Sequence, residues 1–431
     1  MTGTTPLLAR TLTLPNGARM GNRLAKAAMS ECLGDLDLAP TEGHVRLYRR
    51  WARSGAGLLI TGNIMVERTA IGEVGNVVVD DERDMGLLRR WASAGKEHGA
   101  HVWAQLNHPG RQIPVTLNAR PVAPSEIPVA NTAGLFRSPR ELTHGEVETL
   151  VTKFATTAGI LVRAGFTGIE IHAAHGYLIS QFLSPATNRR TDAWGGDRDR
   201  RRRFLIEIVR AVRSEIGEVV PLAVKLNSAD FQRGGFDQFE SAAVVSALAD
   251  EGIDLLEISG GTYESTAFMG LPAEPVKASS EEREAYFLDF AQRIRQQVSL
   301  PLLLTGGFRT TTGIADAIGS DEIDVAGLAR PLALEPDLPA RMLDGTSTAS
   351  TVRHRTLGIR RLDGASDLLW HTTQLWRMAD GKDPAPGRHP LITMAHYFSR
   401  LAPYTLHRIV RGTRSTSRDG YVVRTRGPAE H

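Results

Sequence analysis

Cysteine is nearly absent from this chain, since Cys32 stands alone among 431 residues. A single thiol excludes a disulfide framework within one chain, and it excludes an iron–sulfur cluster or zinc site held by several cysteines. Long apolar runs are also missing, because no stretch approaches the roughly 20 residues that cross a bilayer. The opening segment, MTGTTPLLARTLTLPNG, lacks the apolar core behind a basic start that marks a secretory signal. We therefore predict a cytoplasmic protein without a membrane partner.

A charge excess of either sign is missing as well. The 51 lysine and arginine residues nearly balance the 48 aspartate and glutamate residues, which leaves a formal net charge of +3. An arginine-rich run, RDRRRR at residues 198–203, opens a helical pattern directly after Asp197 and contains Asp199. Such a run is more typical of a solvated, ion-paired helix face than of a nucleic-acid site. We therefore expect no nucleic-acid partner.

What the sequence does contain is a regular alternation of strand-like and helix-like segments. Eight strand candidates occur over roughly 330 residues, and most of them are followed by a helical pattern. The strand candidates are LAKAAM, GLLITGNIMV, HVWAQLNH, GIEIHAAH, PLAVKLNSADF, DLLEISGG, PLLLTGGF and DVAGLARPLA. This alternation favours an α/β fold of the (β/α)8 TIM-barrel type. A doubly wound sheet is disfavoured because NRLAKAAMSECLG lacks the G-x-G-x-x-G turn of a Rossmann unit.

Segments at both ends add to the predicted barrel. TLTLPNGARMGNR turns at its Pro-Asn-Gly, which predicts an N-terminal β-hairpin lid. We place the barrel domain at residues 1–352, and a C-terminal helical extension with a basic tail at residues 353–431. Before the fourth strand, Thr143 and Glu146 have the spacing of a capping box, which predicts that a long helix begins there.

Polar residues follow the predicted strands. In a barrel of this type the carboxyl ends of all strands meet at one mouth, where the chemistry occurs. The polar and glycine residues at these ends are Ser30, Asn63, Gln105, Asn107, His108, His172, His175, Lys225, Asn227, Ser259, Gly306, Gly307 and Arg330. Gly306 and Gly307 leave their backbone N–H groups unobstructed and Arg330 adds a fixed cation, so the last two strand ends predict an anion site.

His172 and His175 at the end of the fourth strand permit three interpretations. In the first interpretation they are structural histidines, as lone histidines commonly are. In the second they bind a metal, with Glu170 or His108 as a further ligand. In the third interpretation they donate hydrogen bonds to a substrate oxygen. Tyr177 then serves as the acid, because its ordinary pKa of about 10 keeps it protonated at pH 7. We favour the third interpretation and predict no metal ligand among the site residues.

Several longer motifs identify a family. The motifs NRLAKAAMS, GLLITGN, WAQLNHPGRQ, GFTGIEIHAAHGYLISQFLSPATNRRTDAWGG and LLLTGGF followed by GLARPLALEPDLP resemble the old yellow enzyme family of FMN-dependent NADH:flavin oxidoreductases. The resemblance implies a non-covalently bound FMN at the barrel mouth and NAD(P)H as the reductant. The implied flavin-contacting residues are Ala28, Met29, Ser30, Asn63, Gln105 and Lys225. The implied phosphate-binding residues are Gly306, Gly307, Ala329 and Arg330.

The resemblance also implies a reaction on a small activated alkene. His172 and His175 hold the carbonyl oxygen of the substrate, Tyr177 protonates its α-carbon, and a hydride reaches its β-carbon. The chain departs from the family pattern at several flavin-contacting positions, which leaves the flavin potential and the substrate open. The departures are Ala28 for a common proline, Ser30 for threonine or cysteine, Asn63 for a smaller residue, and Lys225 for arginine.

Other functions stay open at this level. The same scaffold supports flavin-dependent dehydrogenases and demethylases, which oxidise an amine or a saturated ketone. A metal-dependent hydrolase would use the histidines as ligands, and a non-catalytic binding protein would need no His-His-Tyr set. The sequence does not distinguish NADH from NADPH, a carbonyl from a nitro substrate, or a monomer from a homo-oligomer.

Overall fold

The computed structural model describes residues 5–118, 120–130, 134–230, 234–260, 287–353, 355, 357 and 360–415. Its strands are β1 (Leu12–Thr13), β2 (Arg19–Met20), β3 (Leu24–Lys26), β4 (Leu58–Met65), β5 (Val77–Val78), β6 (His101–Asn107), β7 (Val122–Ala123), β8 (Arg140–Glu141), β9 (Gly168–Ala173), β10 (Leu222–Asn227), β11 (Leu255–Ser259), β12 (Leu302–Thr305) and β13 (Val325–Leu328). Its helices are α1 (Thr5–Leu8), α2 (Glu42–Ala52), α3 (Met85–Lys96), α4 (His144–Arg163), α5 (Leu178–Leu183), α6 (Arg198–Ile216), α7 (Gln238–Asp250), α8 (Leu288–Arg295), α9 (Thr311–Gly319), α10 (Arg330–Leu334), α11 (Leu338–Leu343), α12 (Arg360–Ala379) and α13 (Pro390–Ser415). The predicted basic tail beyond residue 415 lies outside the described residues.

Eight of the strands close into a parallel barrel. Hydrogen-bonded neighbours run in the order β3, β13, β12, β11, β10, β9, β6 and β4, and β3 also pairs with β4, which completes the ring. The short strand β5 pairs with the end of β4, beside the ring. Most of the barrel strands are followed by a helix, as parallel pairing requires. The (β/α)8 fold predicted from the alternation is therefore confirmed.

The N-terminal hairpin closes one end of this barrel. β1 and β2 pair antiparallel, with Leu12 opposite Met20. Leu12, Leu14 and Met20 are buried in an apolar cluster with residues on barrel strands, which are Ala25, Leu58, Ile60, Trp103, Ala223, Leu255, Leu303 and Val325. Most of these residues lie at or near the starts of their strands. The predicted hairpin lid therefore exists, and it seals the end of the barrel opposite the polar strand ends.

Two outer helices begin as their sequence patterns predict. At the start of α4 the Glu146 carboxylate accepts from the Thr143 backbone N–H at 2.8 Å, and the Thr143 hydroxyl accepts from the Glu146 backbone N–H, which completes the capping box. At the start of α6, Asp197 pairs with Arg200 at 3.3 Å and Asp199 with Arg202 at 2.8 Å. The arginine-rich run is thus an ion-paired helix face.

Helices α12 and α13 form a C-terminal extension that packs against α2 and the loop after β3. The Trp376 indole N–H donates to the Glu31 carbonyl oxygen at 2.8 Å, and the Trp376 ring stacks on Tyr397 with centroids 5.1 Å apart. Arg46 on α2 donates to the Ala379 carbonyl oxygen at 2.5 Å. The extension therefore supports the loop that carries predicted flavin-site residues, while a domain division at residue 352 stays a prediction.

Among the helices described here, none combines the length and apolar character needed to span a membrane.

Candidate active site

The chain turns sharply where β9 ends, and this turn places the two histidines and the tyrosine together. His172 lies within β9, while His175 has φ 61° and Gly176 has φ 73°, both in the left-handed region. Tyr177 then immediately precedes α5. The unusual backbone of His175 is held by two hydrogen bonds, since its N–H donates to Asn227 Oδ1 at 3.1 Å and its carbonyl accepts from Gln112 Nε2 at 3.2 Å. A non-glycine residue in this conformation is uncommon and indicates a constrained position.

The two imidazoles form a hydrogen-bonded chain with a serine at the end of β11. His172 Nδ1 accepts from the Ala174 backbone N–H at 3.2 Å, so the proton of a neutral His172 lies on Nε2. This Nε2–H donates to His175 Nδ1 at 3.2 Å, and His175 Nε2–H then donates to Ser259 Oγ at 2.8 Å. The tautomers follow from this directional chain. The Tyr177 ring meets the His172 ring edge-on, with centroids 4.9 Å apart.

Both histidines are electrically neutral at pH 7. Burial lowers the pKa of His172 and of His175 well below the ordinary value for histidine. The nearby Lys225 ammonium lowers the pKa of each ring further, because it disfavours a second positive charge. The pair therefore offers N–H donors and an acceptor nitrogen, and carries no charge of its own. Ser259 joins this chain as a partner that the strand-end pattern placed at the mouth without assigning it a role.

Below the histidines, two pairs of polar side chains lie on adjacent barrel strands. Gln105 Nε2 donates to Glu170 Oε2 at 2.6 Å, and Gln105 is in register with Glu170 across β6 and β9. Lys225 Nζ donates to Glu257 Oε1 at 2.8 Å, and Lys225 is in register with both His172 on β9 and Glu257 on β11. All four side chains are buried. The sequence singled out Glu170 only as a candidate metal ligand and did not single out Glu257.

The two buried carboxyl groups differ in how readily they bind a proton. Burial, together with the Glu257 carboxylate, raises the pKa of Glu170 well above its ordinary value. Burial also acts to raise the pKa of Glu257, but the Lys225 ammonium and the hydrogen bonds that Glu257 receives hold the net pKa below its ordinary value. Of the two carboxyl groups, Glu170 is therefore the one that binds a proton more readily. Since Glu170 bonds to Gln105, the interpretation that joins it to the histidines around a metal has no geometric support. His108 is likewise engaged elsewhere, with Nε2 3.5 Å from Glu67 Oε1.

The loop after β3 carries Ala28, Met29 and Ser30, all half-buried, and lies against β4. Asn63 Nδ2 is 3.5 Å from Ser30 Oγ, while Asn63 Oδ1 is buried and has no hydrogen-bond partner among the described residues. This close approach requires Gly62, because a Cβ atom there would collide with the Met29 carbonyl oxygen and the Glu31 carboxylate. Glu31 Oε1 in turn accepts from the Gly62 backbone N–H at 2.9 Å.

The predicted anion site lies where β12 and β13 end. Gly306 has φ 128° and Gly307 has φ 102°, a conformation that glycine adopts without strain. Strand β13 ends at Leu328, so Arg330 does not end the strand as the sequence pattern indicated but begins the short helix α10 after Ala329. Arg330 Nη1 lies 3.2 Å from Asp367 Oδ2 on α12. Asp367, from the C-terminal extension, is a residue that sequence reasoning missed.

Comparison with known proteins identifies the family. The chain matches the model of the NADH:flavin oxidoreductase / NADH oxidase family over residues 12–348. It is 40% identical over 354 residues to the NADH-dependent flavin oxidoreductase iliE of Hypocrea jecorina, covering 77% of this chain and 88% of that protein. It is 35% identical over 406 residues to the NADH-dependent flavin oxidoreductase iccE of Talaromyces variabilis, covering 86% of this chain and 98% of that protein.

A solved structure agrees with these relatives. The old yellow enzyme homologue from Zymomonas mobilis superposes with a TM-score of 0.69 at 25% identity, covering 80% of this chain and 95% of that one. FMN is accordingly the cofactor and NAD(P)H the reductant. With the closed barrel and the matched motifs, these findings confirm that the chain belongs to the old yellow enzyme family of FMN-dependent NADH:flavin oxidoreductases.

Proposed function

We propose that this oxidoreductase reduces the activated C=C bond of α,β-unsaturated carbonyl or nitro compounds at the expense of NAD(P)H. The observation that carries the proposal is the arrangement at the end of β9. There, two neutral imidazoles linked at 3.2 Å stand beside a phenol whose ring is 4.9 Å from the nearer imidazole. Such a group of donors suits a substrate oxygen that becomes negative during the reaction, with an acid close by.

The side chains at the mouth fit FMN. Asn63 Oδ1 is a buried acceptor that lacks a protein donor among the described residues, so it suits an N–H group of a ligand. We assign the isoalloxazine to Ala28, Met29, Ser30, Asn63, Gln105 and Lys225. We assign the phosphate to the backbone of Gly306, Gly307 and Ala329 and to the side chain of Arg330. FMN bound there supplies the hydride chemistry of the reaction.

His172 and His175 bind and polarise the substrate oxygen in this proposal. Because both rings are neutral, each offers a hydrogen bond without adding the positive charge that would compete with Lys225. The 3.2 Å contact between His172 Nε2 and His175 Nδ1 is longer than the 2.8 Å contact from His175 to Ser259. A substrate oxygen that replaces the longer contact would receive the His172 Nε2–H. It would also receive a His175 N–H once the proton of that ring lies on Nδ1 and the Ser259 hydroxyl donates to Nε2.

Tyr177 donates the proton. It is buried, and it follows His172 and His175 within five residues of chain, so an oxygen held by the histidines brings the α-carbon of an enone into its neighbourhood. The balance is complete with these parts: NAD(P)H supplies a hydride equivalent that ends on the β-carbon, and Tyr177 supplies a proton to the α-carbon. Solvent then returns the proton to the tyrosine. The products are the saturated carbonyl compound and NAD(P)+.

Isotope labelling tests this proposal. Turnover of 2-cyclohexenone with NADH in D2O under anaerobic conditions is expected to give cyclohexanone with deuterium at the α-carbon and protium from NADH at the β-carbon. Nuclear magnetic resonance of the product reads both positions. If NADH is consumed only when oxygen is present and the enone is recovered unchanged, the protein acts as an NADH oxidase. One relative, from Thermoanaerobacter brockii, carries that name. Oxidation of an amine or a saturated ketone instead would favour the dehydrogenase alternative.

A further inference from the structure

Four buried side chains lie on four neighbouring barrel strands, β6, β9, β10 and β11. Glu170 and Glu257 both have no exposed surface, and Gln105 and Lys225 are 2% and 3% exposed. The Gln105 amide donates to Glu170, and the Lys225 ammonium donates to Glu257, at 2.6 and 2.8 Å. Each of these donors is also a residue that we assign to the flavin. The two buried carboxyl groups therefore fix the side chains of Gln105 and Lys225 in position through hydrogen bonds inside the barrel.

The remaining two carboxyl oxygens present a problem of hydrogen bonding. Glu170 Oε1 and Glu257 Oε2 are both buried and lack a hydrogen-bond partner of good geometry among the described residues. The two carboxyl groups lie close enough to interact with each other, and the Thr305 hydroxyl lies near Glu257. Two unpaired buried carboxylate oxygens would be costly, and two ionised carboxylates side by side would repel each other. One proton placed between these oxygens removes both costs, because one carboxyl group then donates to the other.

The partners of each carboxyl group decide which one carries the proton. Glu257 faces a cation, Lys225, which stabilises an ionised carboxylate. Glu170 faces the neutral amide of Gln105, which provides no charge compensation. Among the described residues, the other titratable groups near this layer are Lys26, whose buried ammonium donates to the Ile60 carbonyl oxygen, and the neutral His172 at the mouth. Neither is bonded to Glu170.

We propose that Glu170 and Glu257 share a single proton carried by Glu170, and that this pair positions Gln105 and Lys225 and sets the net charge beneath the flavin. The pair and Lys225 together are neutral overall, since one carboxylate balances one ammonium. The flavin part of this proposal rests on the function proposed above, whereas the shared proton does not. Glu170 and Glu257 are positioning residues, because they act through Gln105 and Lys225.

The proposal predicts that two apparently equivalent substitutions behave differently. In Glu170→Gln the amide reproduces the protonated acid, since its oxygen accepts from Gln105 and its NH2 group donates to Glu257. In Glu257→Gln the Lys225 ammonium loses its counter-charge inside the barrel, which is strongly unfavourable for a buried ion pair. If the proton belonged to Glu257 instead, the two variants would exchange their behaviour.

Thermal unfolding of the flavin-free protein is the first readout. Glu170→Gln is expected to keep the Tm within about 1 °C of the parent, and Glu257→Gln to lower it on the order of 5 °C. The exposed Glu218→Gln is the matched control and is expected to leave Tm unchanged. If Glu257→Gln does not fold, the double variant Lys225→Met with Glu257→Gln removes both charges and is expected to recover the fold. Equal losses in the two single variants, or a loss confined to Glu170→Gln, would overturn the shared-proton assignment.

The infrared spectrum and the flavin potential complete the test. A buried protonated carboxylic acid absorbs in the C=O stretch region, and the absorbance of the parent protein in this region at pH 7 is expected to decrease in Glu170→Gln. Equal absorbance in the two proteins would contradict the proposal. After loading with FMN, the midpoint potential is expected to become more positive in Glu257→Gln and to stay unchanged in Glu170→Gln, because an uncompensated Lys225 favours the reduced form. A potential that is the same in all variants, with the Tm difference intact, would uphold the shared proton and contradict the placement of Lys225 at the flavin.

Discussion

The two ends of the barrel differ in composition and in how their residues are held. At the amino-terminal end, the hairpin residues Leu12, Leu14 and Met20 pack with Leu58 and Trp103 in a dry apolar cluster. At the carboxyl end, neutral histidines, amides and one buried ion pair face the same interior. Burial of apolar area stabilises the fold without positional demands, whereas the polar end requires each group to have a partner.

This difference separates stability from chemistry along the barrel axis. A substitution at the apolar end is expected to alter unfolding and leave the reaction intact. A substitution at the mouth that spares the buried ion pair is expected to alter the reaction and leave unfolding intact. The predictions below test whether the separation holds, beginning with the largest expected effect.

Replacement of Tyr177 by phenylalanine removes the proposed acid at the mouth. The rate of enone reduction is expected to fall by roughly 10² to 10⁴-fold, the usual contribution of a general acid, while Tm stays close to the parent. Rapid-mixing absorbance measures flavin reduction by NADH and its reoxidation by the enone separately. Reduction by NADH serves as the internal control and should be unaffected. Equal loss in both half-reactions would mean that the phenylalanine disturbs the flavin site rather than proton donation.

Replacement of Leu58 by alanine opens a cavity at the apolar end. Leu58 is fully buried in the cluster that the hairpin seals. The free energy of unfolding is expected to fall by about 2–5 kcal/mol, the range for a buried leucine truncated to alanine. Urea denaturation gives this value, and the kcat per bound flavin is expected to match the parent. A large change in kcat at full flavin occupancy would show that the two ends are coupled.

We predict that a buried histidine in the helices around the barrel makes the free energy of unfolding depend on pH. His44 is buried on α2, its Nδ1 accepts from the Thr41 backbone N–H at 3.0 Å, and burial lowers its pKa to about 4. At His44 the unfolded chain therefore binds more protons than the folded chain between pH 6.5 and 4. The contribution of His44 to stability is present at neutral pH and is lost as the pH falls through this window. For His44 alone the loss at pH 5 is about 2 kcal/mol.

Urea denaturation of the parent and of His44→Gln at pH 7 and pH 5 measures this contribution. His172 and His175, whose pKa values burial also lowers, act in the same direction in both proteins. The variant is therefore expected to retain a shallower pH dependence than the parent. Identical pH dependence in the two proteins would assign the acid sensitivity to other groups.

Replacement of Asp367 by asparagine tests a contact that the extension makes with the mouth. Arg330 keeps about a third of its side-chain surface exposed, at 32%, so its pairing with Asp367 contributes little stability. Removing the carboxylate takes an anion away from the proposed phosphate seat, so FMN is expected to bind about two- to fivefold more tightly. Fluorescence titration of the flavin-free protein gives the Kd. Weaker binding would mean that Asp367 acts chiefly by orienting the guanidinium.

The sequence was most informative where a pattern is local. The alternation of strand-like and helix-like segments predicted the barrel, and the motif that contains His172, His175 and Tyr177 predicted their proximity. Local patterns failed for short or long-range features. β5 has only two residues, too few for a periodicity, and the end of β13 at Leu328 was extended to Arg330 because an apolar run does not mark its own last residue.

The sequence did not predict the pairings between distant residues, for a different reason. Glu257 meets Lys225 over 32 positions and Asp367 meets Arg330 over 37, and both contacts depend on the register of closed strands or on the docking of a separate helix. The hydrogen-bonded chain from His172 through His175 to Ser259 likewise depends on the left-handed backbone at His175, which no composition signal marks. These partners can be identified only once the barrel is assembled.

The most direct test of the central claim is an anaerobic absorbance titration of the FMN-loaded protein, first with NADH or NADPH and then with 2-cyclohexenone. The account predicts that the flavin band bleaches with the nicotinamide and returns when the enone is added. A band that bleaches and does not return would agree with a flavin oxidoreductase but would contradict the proposed reduction of enones. A protein that shows no flavin band after incubation with FMN would contradict the assignment of the barrel mouth as a flavin site.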